Sequence, residues 1–390
     1  MKIAYICADP GIPVFGQKGC SIHVQEILRS LQKLGHQVTL FATRLGDEPP
    51  LDLAKIPVYR LPPIPQVERP LRERIALAVN PDLQLELELA GNFDFIYERY
   101  SLWSYSGMEY ARERGIPGIL EVNAPLIEEQ LQHRGLVDRD AAEKVAQRVF
   151  NAASQIVAVS TPIKNYLTKY VSGAKVRVIP NGVNRDRFAL PLMPSFVIPA
   201  ETFVVGFVGS LKPWHGLSSL TDAFARLHQK VPSARLLIVG DGPERENMAA
   251  DLSARNLRSA VRFTGAVNPA LIPELLAAMS VAVAPYEDRP DFYFSPLKVY
   301  EYMAAGLPVV TSRIGQLTEL ITDGVNGRLC PPGDAAALAE ALEELWRSPA
   351  LRQQMGNAAR DTVLEHHTWD AIAEQILTLA DRTRLVGGCR

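Results

Sequence analysis

Cysteine is scarce in this chain: four residues among 390, Cys7, Cys20, Cys330 and Cys389, none at metal-ligand spacing. That excludes a disulfide framework and a cysteine-built zinc site, and it suits a reducing compartment. An excess of one charge is missing too, since 41 Lys+Arg face 43 Asp+Glu for a formal net charge of −2. Without a global basic field, no nucleic-acid partner is expected. Long apolar runs are lacking. Val204–Val208 and Val281–Ala284 fall far below the roughly 18 residues a membrane-spanning helix needs. The start, Met1-Lys2-Ile3-Ala4-Tyr5-Ile6-Cys7, carries no export-signal pattern and reads as a strand. The expected location is cytoplasmic, extending at most to the inner face of the membrane.

What is present is enough apolar residue, 47% over 390 positions, for two cores. Short β-branched runs alternate with helix-length amphipathic stretches, the pattern of βα units with a parallel sheet. Strands are expected at Ile3–Ala8, Val38–Ala42, Val58–Leu61, Phe95–Tyr97, Ile119–Val122, Gln155–Val159 and Val176–Ile179. A second set is expected at Phe203–Val208, Arg235–Val239, Val261–Thr264, Val281–Pro285, Pro308–Thr311 and Gly327–Cys330. The proline-rich stretch from Ala189 to Pro199 fits neither helix nor sheet. The expected organisation is a domain over 1–188, a linker over 189–202, a second domain over 203–365 and a closing helix over 366–390 that packs back toward the first domain. Both domains are expected to be Rossmann-like doubly wound α/β layers. Such sheets bind ligands at the carboxyl ends of their strands, so two facing domains would place a site in the cleft between them. Val67–Leu89 mixes Arg69, Arg72 and Arg74 with Leu71, Ile75, Leu77 and Leu83. It reads as a partly exposed helix and loop, with peripheral contact to anionic lipid as the alternative.

Several loops carry chemistry. Asp9–Val24 follows the first strand and holds Gly11, Gly16 and Gly19 before a helix start. Glycine permits close backbone approach, and free N–H groups at a helix start attract anions. Gly206-Phe207-Val208-Gly209-Ser210-Leu211-Lys212-Pro213-Trp214-His215-Gly216 repeats the arrangement and adds Lys212 and His215 as candidate partners for a diphosphate. Val239-Gly240-Asp241-Gly242-Pro243 contains only Gly-x-Gly, short of a dinucleotide fingerprint, and the absence of Gly-x-Gly-x-x-Gly after the first strand disfavours a dehydrogenase. In Phe294-Ser295-Pro296-Leu297-Lys298-Val299-Tyr300-Glu301-Tyr302-Met303-Ala304-Ala305-Gly306 a loop enters a helix. Backbone N–H groups near Leu297 can hold a phosphate, Lys298 adds charge, and Glu301 can accept from vicinal hydroxyls such as those of a ribose.

With Val178-Ile179-Pro180-Asn181-Gly182-Val183-Asn184 and Glu319–Gly327, these segments resemble glycosyltransferase family 4, retaining enzymes of the GT-B fold, over nearly the whole chain. The resemblance implies transfer of a sugar from a nucleotide-sugar donor, UDP- or GDP-linked, held mainly by the C-terminal domain. The acceptor, a sugar, a lipid-linked molecule or a small molecule, would be held mainly by the N-terminal domain. No cofactor or metal is implied. Donor contacts fall on Gly16, Gly19, Ser210, Gly240, Leu297 and Glu301, and charge stabilisation on Lys298, Lys212 and His215. The sequence departs from the family pattern at Tyr293, where a glutamate is usual, and at Ser210 and His215, where arginine and lysine are usual. Asn123 stands where a histidine near the reacting sugar is common; it can orient a hydroxyl but cannot take a proton at pH 7. Glu98 and Arg99, expected on a loop after a strand end with Trp103, and His23 are the candidate acceptor contacts. Asp138-Arg139-Asp140 spells a metal-binding pattern of a different fold, but an aspartate cap with Glu143 three residues on reads as a helix start. The competing readings are a nucleotide-sugar epimerase or a phosphorylase on the same architecture, and a silent nucleotide-sugar-binding protein.

Overall fold

Strand formation follows the aliphatic runs. The computed structural model describes residues 1–189, 191–194, 199, 201–289 and 292–387. A seven-stranded sheet is built from β1 (Lys2–Cys7), β2 (Gln37–Ala42), β3 (Val58–Arg60), β4 (Phe95–Arg99), β5 (Gly118–Val122), β6 (Gln155–Ala158) and β7 (Val176–Val178). Its order is β3-β2-β1-β4-β5-β6-β7, and every pairing is parallel. A six-stranded sheet contains β8 (Val204–Val208), β9 (Arg235–Val239), β10 (Val261–Phe263), β11 (Val281–Ala284), β12 (Val309–Ser312) and β13 (Arg328–Cys330). Its order is β10-β9-β8-β11-β12-β13, again all parallel. Parallel strands covered by helices on both faces need apolar residues at every position, and β11, Val-Ala-Val-Ala, is buried throughout. In each sheet the order in which strands are added reverses beside the first strand, at β1/β4 and β8/β11. Ligands of doubly wound folds sit at the carboxyl ends of such strands.

The chain divides into two compact units. The first is Met1–Asn181 together with the chain from Trp369 onward; the second is Gly182–Thr368. The change of unit therefore precedes the proline-rich stretch expected as the linker. The reason is packing: Val183 and Phe188 are buried in the apolar cluster that also holds Tyr300, Tyr302 and Leu317. Part of that stretch, and Cys389, lie outside the described residues.

Helix Trp369–Gly387 belongs to the first unit and packs on helix Gly19–Lys33. Asp370 accepts from Ser30 Oγ at 2.9 Å and Lys33 Nζ at 2.7 Å, while Trp369 meets the His23 ring edge-on at 4.9 Å. The segment around Val67–Leu89 forms helices Arg69–Ala78 and Asn80–Ala90, and the first of these has no buried residue. Asp138 accepts from Ala141 N at 2.9 Å as the cap of helix Arg139–Ala152.

Candidate active site

In the second unit, β8 and β9 end in loops that press together. Gly209 (φ 141°) and Gly240 (φ 134°) have backbone conformations that L side chains rarely adopt. A Cβ on Gly240 would lie 2.0 Å from the Gly209 carbonyl oxygen, so glycine is required there. Leu211 N donates to Asp241 O at 2.9 Å and ties the two loops.

Lys298 rises from the second position of helix Leu297–Ala304 into this turn. Its Nζ is buried without a hydrogen-bond partner, 4.3 Å from the Phe207 ring centre and 5.6 Å from that of Tyr286. Burial pulls its ammonium down to about 7. A Cβ on Gly209 would sit 2.8 Å from this nitrogen, so the lysine and the glycine loop are in direct contact. An unpaired buried cation is unfavourable, and an anion is the partner that compensates it.

His215 is brought to the same place, but not as the expected cation. Its Nδ1 contacts the Ser210 carbonyl oxygen at 2.6 Å, and burial, then the nearby Lys298 charge, drive the ring down to about 3. It is a neutral imidazole that donates from Nδ1, which leaves Nε2 as an acceptor. The correction has a clear source: a lysine and a histidine converging on one buried turn cannot both stay charged. Lys212 lies further out, its Nζ 5.9 Å from the Trp214 ring centre. Glu301 is on the same helix as Leu297 and Lys298, where Arg187 Nη1 pairs with its Oε1 at 3.1 Å and Arg187 Nη2 donates to Pro269 O at 2.6 Å. Sequence reasoning missed Arg187; it lies three residues beyond the Asn-Gly-Val segment and meets Glu301 only through the fold, which left no local signal.

In the first unit, Gly16 and Gly19 lead into helix Gly19–Lys33, and Gln25 Nε2 steadies the loop by donating to Val14 O and Gly16 O at 2.8 and 2.9 Å. Beyond them lies a buried polar cluster. Glu121, on β5, receives His23 Nε2 at 2.6 Å, Arg99 Nη1 at 3.3 Å, the Tyr97 hydroxyl and Asn123 Nδ2. His23 Nδ1 faces Asn181 Oδ1 at 2.8 Å. Burial pushes the Glu121 carboxyl up, but His23, Arg99 and Tyr97 outweigh it and hold the group at about 2.

Glu98 and Arg99 are not on a loop: β4 continues through both. Glu98 is fully buried, accepts from Ser104 Oγ at 2.6 Å and faces the Met108 backbone at the start of helix Ser106–Arg114. Its carboxylate is thus held by groups of the chain itself, and the expected loop placement is corrected to a strand interior. Charged residues after Phe95-Ile96-Tyr97 imitate a strand end, but here each has an internal partner. Glu121 is not singled out by sequence reasoning. The available signal was a lone carboxylate inside the otherwise apolar Gly118-Ile119-Leu120-Glu121-Val122 run. A small pocket of the first unit is lined by Ala8, Thr43, Asn80, Ser101 and Trp103, at the carboxyl ends of β1, β2 and β4. Among the described residues no group of three or more His, Cys, Asp or Glu could hold a metal ion, and no helix is long and apolar enough to cross a membrane.

Two family models match the chain, one described as Glycosyltransferase Family 4 over residues 18–187 and one as Glycosyl transferases group 1 over residues 202–348. The chain is 30% identical to the glycogen synthase of Mycobacterium tuberculosis over 51% of its own length; it spans about half of that relative, 47%. It is 26% identical to the D-inositol 3-phosphate glycosyltransferase of Kribbella flavida, over 92% of this chain and 89% of that one. The solved structure of Anabaena HepE in complex with UDP and glucose has the same fold, with a TM-score of 0.72 at 21% identity, covering 97% of this chain and 98% of that one.

Proposed function

Because the chain belongs to glycosyltransferase family 4 and has the two-domain GT-B fold, we propose that it moves a sugar from a nucleotide-diphosphate sugar to an acceptor hydroxyl, with retention at the anomeric carbon. The observation that carries this reading is Lys298: a buried cation without a hydrogen-bond partner, pressed against a glycine turn at the end of β8. The donor diphosphate is assigned to that turn, with Ser210, Gly240 and the backbone at Leu297 around it. The nucleoside ribose is assigned to Glu301, whose carboxylate Arg187 orients.

The acceptor is assigned to the first unit, where the Trp103 pocket and Asn123 lie at strand ends. The acceptor hydroxyl attacks the anomeric carbon on the face the diphosphate leaves, and a leaving phosphate oxygen takes the proton. No protein nucleophile is required. The protein aims fixed charge and donors at the negative charge growing on the diphosphate, with Lys298 as the principal cation. The reaction needs neither cofactor nor metal in this reading, since Asp138 is engaged as a helix cap. Helix Arg69–Ala78, with no buried residue and with Leu71 41% exposed among Arg69, Arg72 and Arg74, suits contact with an anionic membrane face on the cytoplasmic side. Sedimentation with anionic against neutral vesicles tests that contact.

The test of the main reading is calorimetric titration with UDP, GDP and ADP in EDTA, alongside Glu301→Ala. Binding of one nucleotide, lost in the variant, is the expected result and names the donor class. Failure of all three to bind overturns it in favour of a remodelled function.

A further inference from the structure

Glu121 gathers four donors, and one of them had a choice. Tyr97, Arg99 and His23 can only donate to a carboxylate from their facing atoms, whereas a carboxamide can present either its NH₂ or its oxygen. Asn123 presents Nδ2 to Glu121 Oε1, so its Oδ1 is directed away from the cluster, buried and without a hydrogen-bond partner. Leaving a buried acceptor unpaired costs about 1–3 kcal/mol, and such a group calls for an explanation. The chain leaving β5 supplies part of one: Asn123 follows the strand's last residue, Val122, two positions after Glu121, and its carboxamide reaches back to that carboxylate.

We propose that Glu121 is a positioning residue, which fixes the Asn123 carboxamide so that its carbonyl oxygen is presented to a sugar hydroxyl. The inference rests on the transferase reading and adds to it the polarity of one contact. The substrate group at Asn123 is a hydroxyl that donates its proton in a hydrogen bond, not one that accepts. Glu121 does this only as a carboxylate, because a protonated carboxyl would also admit the flipped amide. His23 and Arg99 flank it with donors, and the cluster holds the group at about 2. Tyr97 takes the second carboxylate oxygen, Oε2, while His23, Arg99 and Asn123 converge on Oε1.

The experiment is a polarity swap, with turnover measured on whichever of UDP-glucose and GDP-mannose the wild type consumes. Glu121→Gln releases the amide, and Asn123→Asp sets two carboxylates against each other; each single change is expected to lower kcat by roughly tenfold or more. In Glu121→Gln/Asn123→Asp the glutamine NH₂ donates to the aspartate, whose other oxygen again faces the substrate. Recovery of kcat to within a few-fold of wild type is the expected result; a double variant no better than the worse single overturns the proposal. Thermal melts and nucleotide titration identify any variant that fails to fold.

The side-chain amide signal of Asn123 in ¹⁵N-labelled protein, assigned by its loss in Asn123→Ala, decides the matter without turnover. It should be shifted and slow to exchange in wild type and move in Glu121→Gln; an unmoved signal overturns the proposal. Absence of turnover in the wild type counts against the transferase reading instead, and the amide signal still tests the orientation.

Discussion

Lys298 and Glu98 are both held near neutrality by burial, with opposite consequences. Lys298, pulled down to about 7, is largely uncharged above that pH until an anion arrives. A bound diphosphate restores its charge, so nucleotide binding at pH 8 should take up a proton and weaken as pH rises past 7. Calorimetry in buffers of different ionisation enthalpy reads that uptake, which Lys298→Met should abolish while lowering kcat by roughly 10²-fold. Glu98 is raised from 4.5 to about 7 by burial, against the bonds from Ser104 and the Met108 backbone. Its folded form prefers the proton, so its stabilising contribution is full below about 4.5 and is lost as pH rises through about 7. Glu98→Gln removes this dependence. Relative to wild type, the variant should gain on the order of 3 kcal/mol between pH 4.5 and pH 8, read by denaturant unfolding at both.

At the scale of elements, Asp138 is the cap of helix Arg139–Ala152 through its bond to Ala141 N. Asp138→Ala should cost about 1 kcal/mol in unfolding free energy and leave transfer in EDTA unchanged. A large loss of activity with stability intact would reopen a metal role for Asp138. The strands were readable because parallel strands covered on both sides leave continuous aliphatic runs, as in Val204-Val205-Gly206-Phe207-Val208. The exception is instructive. β4 runs on through Glu98 and Arg99 because a helix start and Glu121 satisfy them, and those partners come from elsewhere in the fold. The site was legible where one segment carries it, as with Leu297, Lys298 and Glu301. It was not legible where distant segments meet: Arg187 and Glu301 are 114 residues apart, and His23 and Asn181 are 158. The neutral state of His215 follows from a neighbouring charge and burial, which residue type alone does not reveal.

On the scale of the molecule, the first unit is discontinuous in sequence and the second is not. Trp369, Ile372, Ala373, Ile376 and Ala380 are all nearly inaccessible in the closing helix. Burying a large apolar side chain contributes about 1.5–3 kcal/mol. A chain ending at Thr368 should therefore lose the thermal transition of the first unit, or aggregate, while Gly182–Thr368 still melts cooperatively and binds nucleotide. Scanning calorimetry with a nucleotide titration reads both; an unchanged first transition would show the helix to be dispensable.

That same discontinuity sets an order of events during synthesis. The ribosome makes all of the second unit between the last strand of the first and the helix that closes it, an interval on the order of ten seconds or longer. Throughout it, the nascent first unit displays the apolar seat later taken by Trp369 and Ile376. Chaperone demand should therefore peak while the second unit is being made and fall once helix Trp369–Gly387 has left the exit tunnel, and slow codons within the second unit would prolong that exposure.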